Sequence, residues 1–293
     1  MICTMFKFLL KPLTWLSLPA LHCMGRLLGY VMYLLMPSSK NTIRENMLQS
    51  GLFTEEADME KAIKLNVLEN GKHIIESLAI WQKSHNDMLA WVKPCKDWHI
   101  VEKALERKKG IIFLTPHMGS FEITSIFYGA QHPITVLYRR PKMRWLHKLT
   151  ETGRTQNYVK LAPANLQGVR MLMQALKKGE AIGILPDQTP GRGEGEFVDF
   201  FGKSAYTMTL ASKLAEKSGA TVIMAFGERL KDGRGFDIHL TQLAEGAIAT
   251  PTLLNQAIEQ QIAKMPTQYL WHYPRYRIRK RALQREQRRE KKD

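Results

Sequence analysis

The chain has 293 residues, of which 44% are hydrophobic and 24% are charged, as in an ordinary globular protein. A chain of this length can bury a large core, so the fold needs no disulfide or metal to stabilise it. The three cysteines, Cys3, Cys23 and Cys95, lack the number and spacing of a zinc site or a disulfide framework. Disordered proteins and small disulfide-rich secreted domains are therefore excluded, and a reducing compartment is expected.

The net charge is +16, from 43 Lys and Arg residues against 27 Asp and Glu residues. Ten of the basic residues lie between Arg275 and the C-terminus, beside only three acids. This excess predicts an anionic partner, which could be a nucleic acid, an acidic membrane surface or an acidic protein. Charge alone does not decide among these three classes.

The N-terminus carries an apolar run over residues 13–36, which is long enough to cross a bilayer at about 20 residues per span. On a helix, His22, Arg26, Gly29 and Tyr33 form one polar or small stripe within this run. That pattern predicts a helix with one face in lipid and the other face against its own protein. We therefore expect an uncleaved membrane anchor, and a buried core helix is the alternative.

Beyond this run, helix and strand patterns alternate, which predicts an α/β fold with a mixed, mostly parallel central sheet flanked by helices. The strand patterns lie at residues 111–115, 134–138, 181–185, 221–226 and 236–241, the last of them antiparallel. The helix patterns lie at residues 54–82, 120–128, 143–154, 165–178, 206–218 and 251–264. The predicted organisation is an N-terminal membrane anchor helix (1–40), a catalytic-type domain (41–276) and a basic tail (277–293). The glycine-rich stretch at residues 191–195 is interpreted as a mobile loop.

One loop at the end of a strand pattern carries candidate chemistry. His117 follows the apolar run 111–115, and Glu122 lies five residues later, within the next helix pattern. Ligands collect at the carboxyl ends of parallel strands. A carboxylate held against one imidazole nitrogen can fix the tautomer and raise the basicity of the other. The spacing alone leaves open a helix-capping histidine beside a surface glutamate.

His117 to Glu122 matches the HxxxxE form of the acyltransferase motif, and it resembles the late acyltransferases of lipid A biosynthesis, the lauroyl and myristoyl transferases. Further blocks resemble this family in the same order: YRRP at 138–141, DQ at 187–188, FVDFFG at 197–202 and PTQYLW at 266–271. The sequence departs from the family pattern in an extra arginine in the first of these blocks and in Asp199, where proline is usual. The likeness extends from the N-terminal helix to about Arg281.

The resemblance implies a glycerolipid-acyltransferase-like fold and transfer of a fatty acyl chain to the hydroxyl of a 3-hydroxyacyl chain on a lipid A precursor. It implies acyl carrier protein as the donor. Because the sequence lacks HExxH, EF-hand and P-loop patterns, no metal and no other cofactor are expected, and no nucleic-acid partner is expected either. The expected location is the cytoplasmic face of the bacterial inner membrane, in contact with anionic lipid. One alternative is a related membrane acyltransferase that acts on another glycolipid or phospholipid hydroxyl. A remote alternative is a nucleic-acid-binding protein, since aromatic residues precede the basic tail.

Five residues are candidates for the site. His117 is the expected general base and Glu122 the carboxylate that orients it, in the manner of a triad acid. Arg154 is the expected oxyanion donor, because the family places an arginine in this helix. Arg139 is expected to bind a phosphate or the phosphopantetheine of the carrier protein, and Asp187 to order basic groups beside the site. The alternatives are surface arginines for Arg139 and Arg154 and an ordinary turn aspartate for Asp187.

Overall fold

The computed structural model describes residues 9–141 and 143–277. The basic tail predicted at residues 277–293 lies outside the described residues, except for Arg277. The strands of the described part are β1 (Ile111–Leu114), β2 (Ile134–Tyr138), β3 (Val159–Pro163), β4 (Ala181–Ile184), β5 (Gly195–Phe200), β6 (Lys203–Met208), β7 (Thr221–Arg229) and β8 (Phe236–Gln242).

The α-helices of the described part lie before, between and after these strands. They are α1 (Leu18–Leu35), α2 (Pro37–Ser50), α3 (Glu56–Ile80), α4 (His85–Leu89), α5 (Trp98–Glu106), α6 (Phe121–Gly129), α7 (Arg144–Arg154), α8 (Leu166–Lys177), α9 (Leu210–Ser218) and α10 (Pro251–Lys264). Short 3-10 helices cover Lys11–Trp15, Lys231–Gly233 and Pro266–Gln268.

The central sheet has six strands in the order β3-β2-β4-β1-β7-β8. The first five are mutually parallel and β8 is antiparallel to β7. This confirms the predicted α/β fold with a mostly parallel sheet, including the antiparallel last strand. Because β1 and β4 are parallel neighbours, the loops that follow them lie side by side at one edge of the sheet.

The core lies on both faces of this sheet. Every residue of β1 and β4 is buried, which explains why these strands are apolar throughout rather than alternating. One face packs against helices through residues such as Leu172 and Leu214. The other face packs through Val101, Ile123 and Ile126. The sheet is thus a rigid support for the loops at its edge.

Several elements differ from the sequence-based expectation. The helix predicted to start at Tyr206 begins only at Leu210, because residues 203–208 form β6, which pairs with β5 in a separate hairpin. The rings of Phe197 and Tyr206 lie opposite each other in that hairpin, with centroids 4.9 Å apart. Gly195, expected in a mobile loop, is the first residue of β5. The edge strand β3 and the helices α2, α4 and α5 were not predicted.

Helix α1 packs closely against α3. A Cβ atom at Gly25 would lie 2.4 Å from the Cα atom of Lys72, and one at Gly71 would lie 2.1 Å from the carbonyl oxygen of Gly25. Gly29 makes a similar approach to Val67. Small residues spaced in this way let two helix backbones touch. The interface therefore requires these glycines.

The two faces of α1 differ in polarity and exposure. His22 and the two glycines face α3 and are buried, whereas Leu27 and Leu34 are exposed. Arg26 is exposed too, so the expectation that it packs with His22 against the protein is wrong: one turn after His22, it lies at the edge of the buried face, where its side chain reaches solvent. The helix is long and apolar enough to cross a membrane, a criterion that buried core helices and signal sequences also meet. The domain boundaries proposed at residues 40 and 276 stay predictions.

Candidate active site

The His117 loop connects β1 to α6. Gly119 in this loop has a φ of +56°, and a Cβ atom there would lie 2.1 Å from the carbonyl oxygen of Gly227 on β7. The same carbonyl accepts a hydrogen bond of 2.8 Å from the backbone amide of Ser120. Glycine is therefore required at position 119, both for the left-handed backbone and for the close approach to β7. This turn places His117 at the carboxyl edge of the sheet.

The acid that contacts His117 is Asp187, which follows β4. Its Oδ1 atom lies 2.8 Å from the His117 Nδ1 atom, and its Oδ2 atom accepts the His117 backbone amide at 2.9 Å. Burial raises the pKa of Asp187, but the charge and hydrogen bonds of His117 outweigh burial and hold that pKa below its ordinary value. Asp187 is thus an anion that fixes both the imidazole and the loop. The sequence predicted that Asp187 orders basic groups, and the structure shows that the basic group it contacts is His117.

The expected contact between Glu122 and His117 is not what the structure shows. Glu122 is buried and accepts hydrogen bonds from Arg154, through Nε at 2.7 Å and through Nη2, and from the indole Nε1 atom of Trp81 at 3.1 Å. The five-residue spacing permits a contact with the imidazole, but the Arg154 guanidinium supplies the full positive charge that a buried carboxylate needs. The position beside His117 is taken by Asp187.

The Arg154 guanidinium lies in an aromatic and acidic setting. It sits 5.4 Å from the centre of the Tyr138 ring and 5.8 Å from that of Trp81. Burial raises the pKa of Glu122, yet the charge and hydrogen bonds of Arg154 outweigh it, so the net pKa is below the ordinary value. Two of the three guanidinium nitrogens are used by Glu122. The remaining one, Nη1, has no hydrogen-bond partner among the described residues.

A polar cleft with a free volume of about 220 Å³ lies in front of these residues. His117, Glu122, Arg139 and Arg154 all line it, so the structure brings four of the five predicted residues to one cavity. Asp187 lies behind His117. The Nε2 atom of His117, the nitrogen not used by Asp187, lies 3.2 Å from the Nε2 atom of Gln188, which also lines the cleft.

An apolar cavity adjoins the polar cleft. Its free volume is about 30 Å³, well below the usual range for ligand pockets. Phe121, Ser125, Val136 and Leu185 line both cavities. The apolar cavity continues between the sheet and helices α5 and α6, where Trp98 and Tyr128 form part of its wall.

The C-terminal block at residues 266–271 supports the His117 loop from outside the sheet. The Leu270 amide donates to the His117 carbonyl at 2.9 Å, and Tyr269 forms an isolated bridge with Met118. Burial and the nearby Asp187 carboxylate raise the pKa of Tyr269 well above its ordinary value. Sequence reasoning identified this block by resemblance but missed its contact with the loop.

Comparisons with known proteins identify the family of this chain. The family of bacterial lipid A biosynthesis acyltransferases matches residues 3–278. The chain belongs to this family. It is 26% identical to the lipid A biosynthesis palmitoleoyltransferase of Escherichia coli K12 over 90% of this chain and 88% of that protein. It is 25% identical to the lauroyltransferase of the same strain, over 91% of this chain and 92% of that protein.

A third relative matches over a shorter stretch. The chain is 24% identical to the lipid A biosynthesis myristoyltransferase of Escherichia coli K12, over 61% of this chain and 58% of that protein. These relatives carry names with three different acyl groups. The family therefore establishes an acyltransferase of lipid A biosynthesis, and this confirms the resemblance seen in the motifs.

Proposed function

We propose that this enzyme transfers an acyl chain from acyl carrier protein to the hydroxyl of a 3-hydroxyacyl chain on a lipid A precursor. The observation that carries the proposal is the arrangement of His117, whose Nδ1 atom contacts Asp187 and whose Nε2 atom faces the cleft. A histidine held in this way is suited to act as a general base.

The transfer is direct, through a complex that contains both substrates. His117 Nε2 takes the proton of the acceptor hydroxyl while the hydroxyl oxygen attacks the thioester carbonyl carbon. The carbon–sulfur bond then breaks, and the proton passes from the imidazolium to the leaving thiolate. Asp187 stabilises the imidazolium and keeps the proton of the neutral imidazole on Nδ1. Gln188, which contacts Nε2 in the free enzyme, moves aside for the acceptor.

Arg154 is the donor that we propose for the thioester oxyanion. Its Nε and Nη2 atoms bind Glu122, so its Nη1 atom is free to donate. A fixed donor placed where negative charge develops can lower the barrier to acyl transfer substantially. Glu122 acts in this scheme by holding Arg154, not by orienting His117. Arg139 is exposed and lines the same cleft, where it can bind a phosphate of the acceptor or the phosphopantetheine of the donor.

The apolar cavity is the site that we propose for the acyl chain, and its lining side chains move apart to admit that chain because its free volume is only about 30 Å³. It opens onto the cleft beside Phe121 and Leu185, so a thioester carbonyl near His117 leaves its alkyl chain pointing between the sheet and α6. Its lining consists mainly of aromatic and aliphatic side chains. Burial of the chain there gains about 0.8 kcal/mol per methylene.

The exposed apolar face of α1 supports a membrane location. Leu27, Val31 and Leu34 are exposed on one side of this helix, and a lipid surface would remove them from water. We propose that the enzyme sits at the cytoplasmic face of the inner membrane, where its lipid acceptor is present. Its positive net charge suits both anionic lipid and an acidic carrier protein.

The test is an assay of the purified full chain in detergent, with acyl carrier protein thioesters as donors and a lipid A precursor as acceptor. Mass spectrometry measures the gain of one acyl mass, and a lysophospholipid acceptor serves as the alternative. We expect transfer to the lipid A precursor, and we expect His117→Ala to lower the rate roughly 10²–10⁴-fold. His99→Ala, at an exposed histidine on α5, is the matched control. Transfer only to the lysophospholipid, or full activity of His117→Ala, would overturn the proposal.

A further inference from the structure

A buried ion cluster lies behind the His117 loop. Arg229, the last residue of β7, donates through Nε and Nη2 to the two carboxylate oxygens of Glu76, at 2.8 and 2.6 Å. Its Nη1 atom donates to Glu69 at 2.7 Å. Arg229 and Glu76 are 3% and 0% exposed. The pKa of Glu76 is held below its ordinary value because the Arg229 guanidinium outweighs the effect of burial.

The same guanidinium reaches the catalytic loop. Its Nη2 atom donates to the Gly119 carbonyl oxygen at 2.9 Å, two residues after His117. The backbone of Arg229 is fixed in turn by Gln268, whose side-chain amide accepts from the Arg229 amide at 3.0 Å and donates to the Arg229 carbonyl at 2.9 Å. Gln268 also accepts the Gly119 amide through its own carbonyl at 2.9 Å. Both peptide groups of Gly119 are therefore held by this cluster.

The cluster extends to the apolar helix α1. The Nε2 atom of His22 lies 3.0 Å from Glu76 Oε2, the oxygen that also accepts from Arg229 Nε. The contacts thus run from α1 through Glu76 and Arg229 to Gly119 and the His117 loop. Each step is a hydrogen bond in a buried setting, where such bonds are strong and sensitive to the loss of a partner.

We propose that Arg229 is a positioning residue for acyl transfer, which sets the orientation of His117 by holding the Gly119 carbonyl. We further propose that His22 and Glu76 make this orientation depend on the seating of α1 against α3. The inference rests on the proposed role of His117 as base. Only a planar guanidinium spans two carboxylates and a carbonyl at once, whereas a lysine ammonium carries the same charge without that geometry.

The first test is Arg229→Lys, assayed for kcat and KM in detergent. We expect kcat to fall roughly 10–100-fold with KM unchanged, because a misplacement of about 1 Å at a reacting group can cost 10²-fold. Arg107→Lys is the matched control, since Arg107 donates to Thr221 at the opposite end of the same strand. A rise in KM alone, or an unchanged kcat in a folded Arg229→Lys protein, would overturn the proposal.

The second test separates positioning from a general structural role. In the His117→Ala background, Arg229→Lys should leave the residual rate unchanged, since a residue that acts only through His117 has nothing left to position. If Arg229→Lys lowers the residual rate by the same factor as it lowers the wild-type rate, then Arg229 does not act through His117, and the proposal is wrong. Failure of the proposed function itself has a different signature, because His117→Ala would then be active.

The third test uses two further positions. Glu69→Gln replaces Arg229→Lys if that variant fails to fold, because it removes one charge that orients Arg229 and leaves Glu76 in place; His22 tests the connection to α1. We expect a several-fold loss in kcat with KM unchanged. His22→Leu should cause a similar loss, and His22→Gln, which keeps a donor for Glu76, should restore most of it. Equal rates for wild type, Glu69→Gln and His22→Leu would contradict the coupling.

Discussion

Asp187 and Glu122 are two buried carboxylates at the same site, and they differ in the partner that each one holds. Asp187 contacts an imidazole, which can gain and lose a proton near neutral pH. Glu122 contacts a guanidinium, which keeps its charge throughout. Burial opposes ionisation of both acids, and in both the partner outweighs it. The comparison teaches that the partner, not the residue type or its distance in sequence, decides which acid can assist a proton transfer.

The largest expected effect comes from Asp187→Asn. An amide can donate to His117 Nδ1 and so place the proton on Nε2, which removes the base, and it cannot stabilise the imidazolium. We expect kcat to fall roughly 10³–10⁴-fold in a protein that keeps its circular dichroism spectrum. Asp199→Asn, at an exposed aspartate in the β5–β6 hairpin, is the control. A loss of less than ten-fold would mean that Asp187 is not the acid that acts with His117.

Glu122→Gln is expected to affect stability more than Asp187→Asn does. It leaves the Arg154 charge without its counterion, and breaking a pair of this kind typically costs about 3–5 kcal/mol. We expect the low end of that range, because the Arg154 side chain is 21% exposed. Thermal unfolding in detergent measures the change.

The double variant Glu122→Gln with Arg154→Met completes this test. It removes the stranded charge, so it should recover much of the lost stability while activity stays low. If the double variant unfolds as easily as the two single changes combined, then the two residues are not energetically coupled.

His73 offers a comparison with His117 across one aromatic ring. Phe121 packs between them, with ring centroids 4.5 Å from His73 and 4.8 Å from His117. Burial lowers the pKa of His73 from 6.5 to about 4. The folded protein therefore keeps His73 neutral, while the unfolded chain binds a proton below about pH 6.5.

The resulting pH dependence has a definite sign. Because the unfolded state binds more protons between pH 6.5 and 4, stability should fall as the pH decreases through that window. The contribution of His73 is at most roughly 3 to 4 kcal/mol. His73→Asn should flatten the slope of the unfolding free energy in this window without changing it above pH 7. An equal slope in both proteins would show that His73 titrates normally in the folded state.

The sheet was predictable because β1 and β4 are short apolar runs between turn signals, and strands buried on both faces have this pattern. The β5–β6 hairpin was missed, since glycines and mixed polar residues carry no clear period over residues 191–208. The motifs identified the site residues, but they did not predict which acid pairs with His117 or that Glu122 pairs with Arg154. The contact between Asp187 and His117 follows from β1 and β4 being neighbours, and strand order is not encoded in local spacing. A carboxylate directly after the neighbouring strand was the signal that could have indicated it.

The smallest expected effect comes from Trp81→Phe, which refines the account of Glu122. The indole N–H donates to Glu122 Oε2, and its loss removes one of several bonds while Arg154 still neutralises the charge. A hydrogen bond to a charged group is worth about 1.5–3 kcal/mol, and the remaining bonds should keep the loss in unfolding free energy near the lower value. Activity should change only a few-fold, because Arg154 stays in place. Trp271→Phe is the matched control, since it removes an N–H bond to the neutral Pro266 carbonyl. If Trp81→Phe lowered kcat as far as Asp187→Asn does, Glu122 would have to act in the chemistry directly, and the distinction between the two carboxylates would fail.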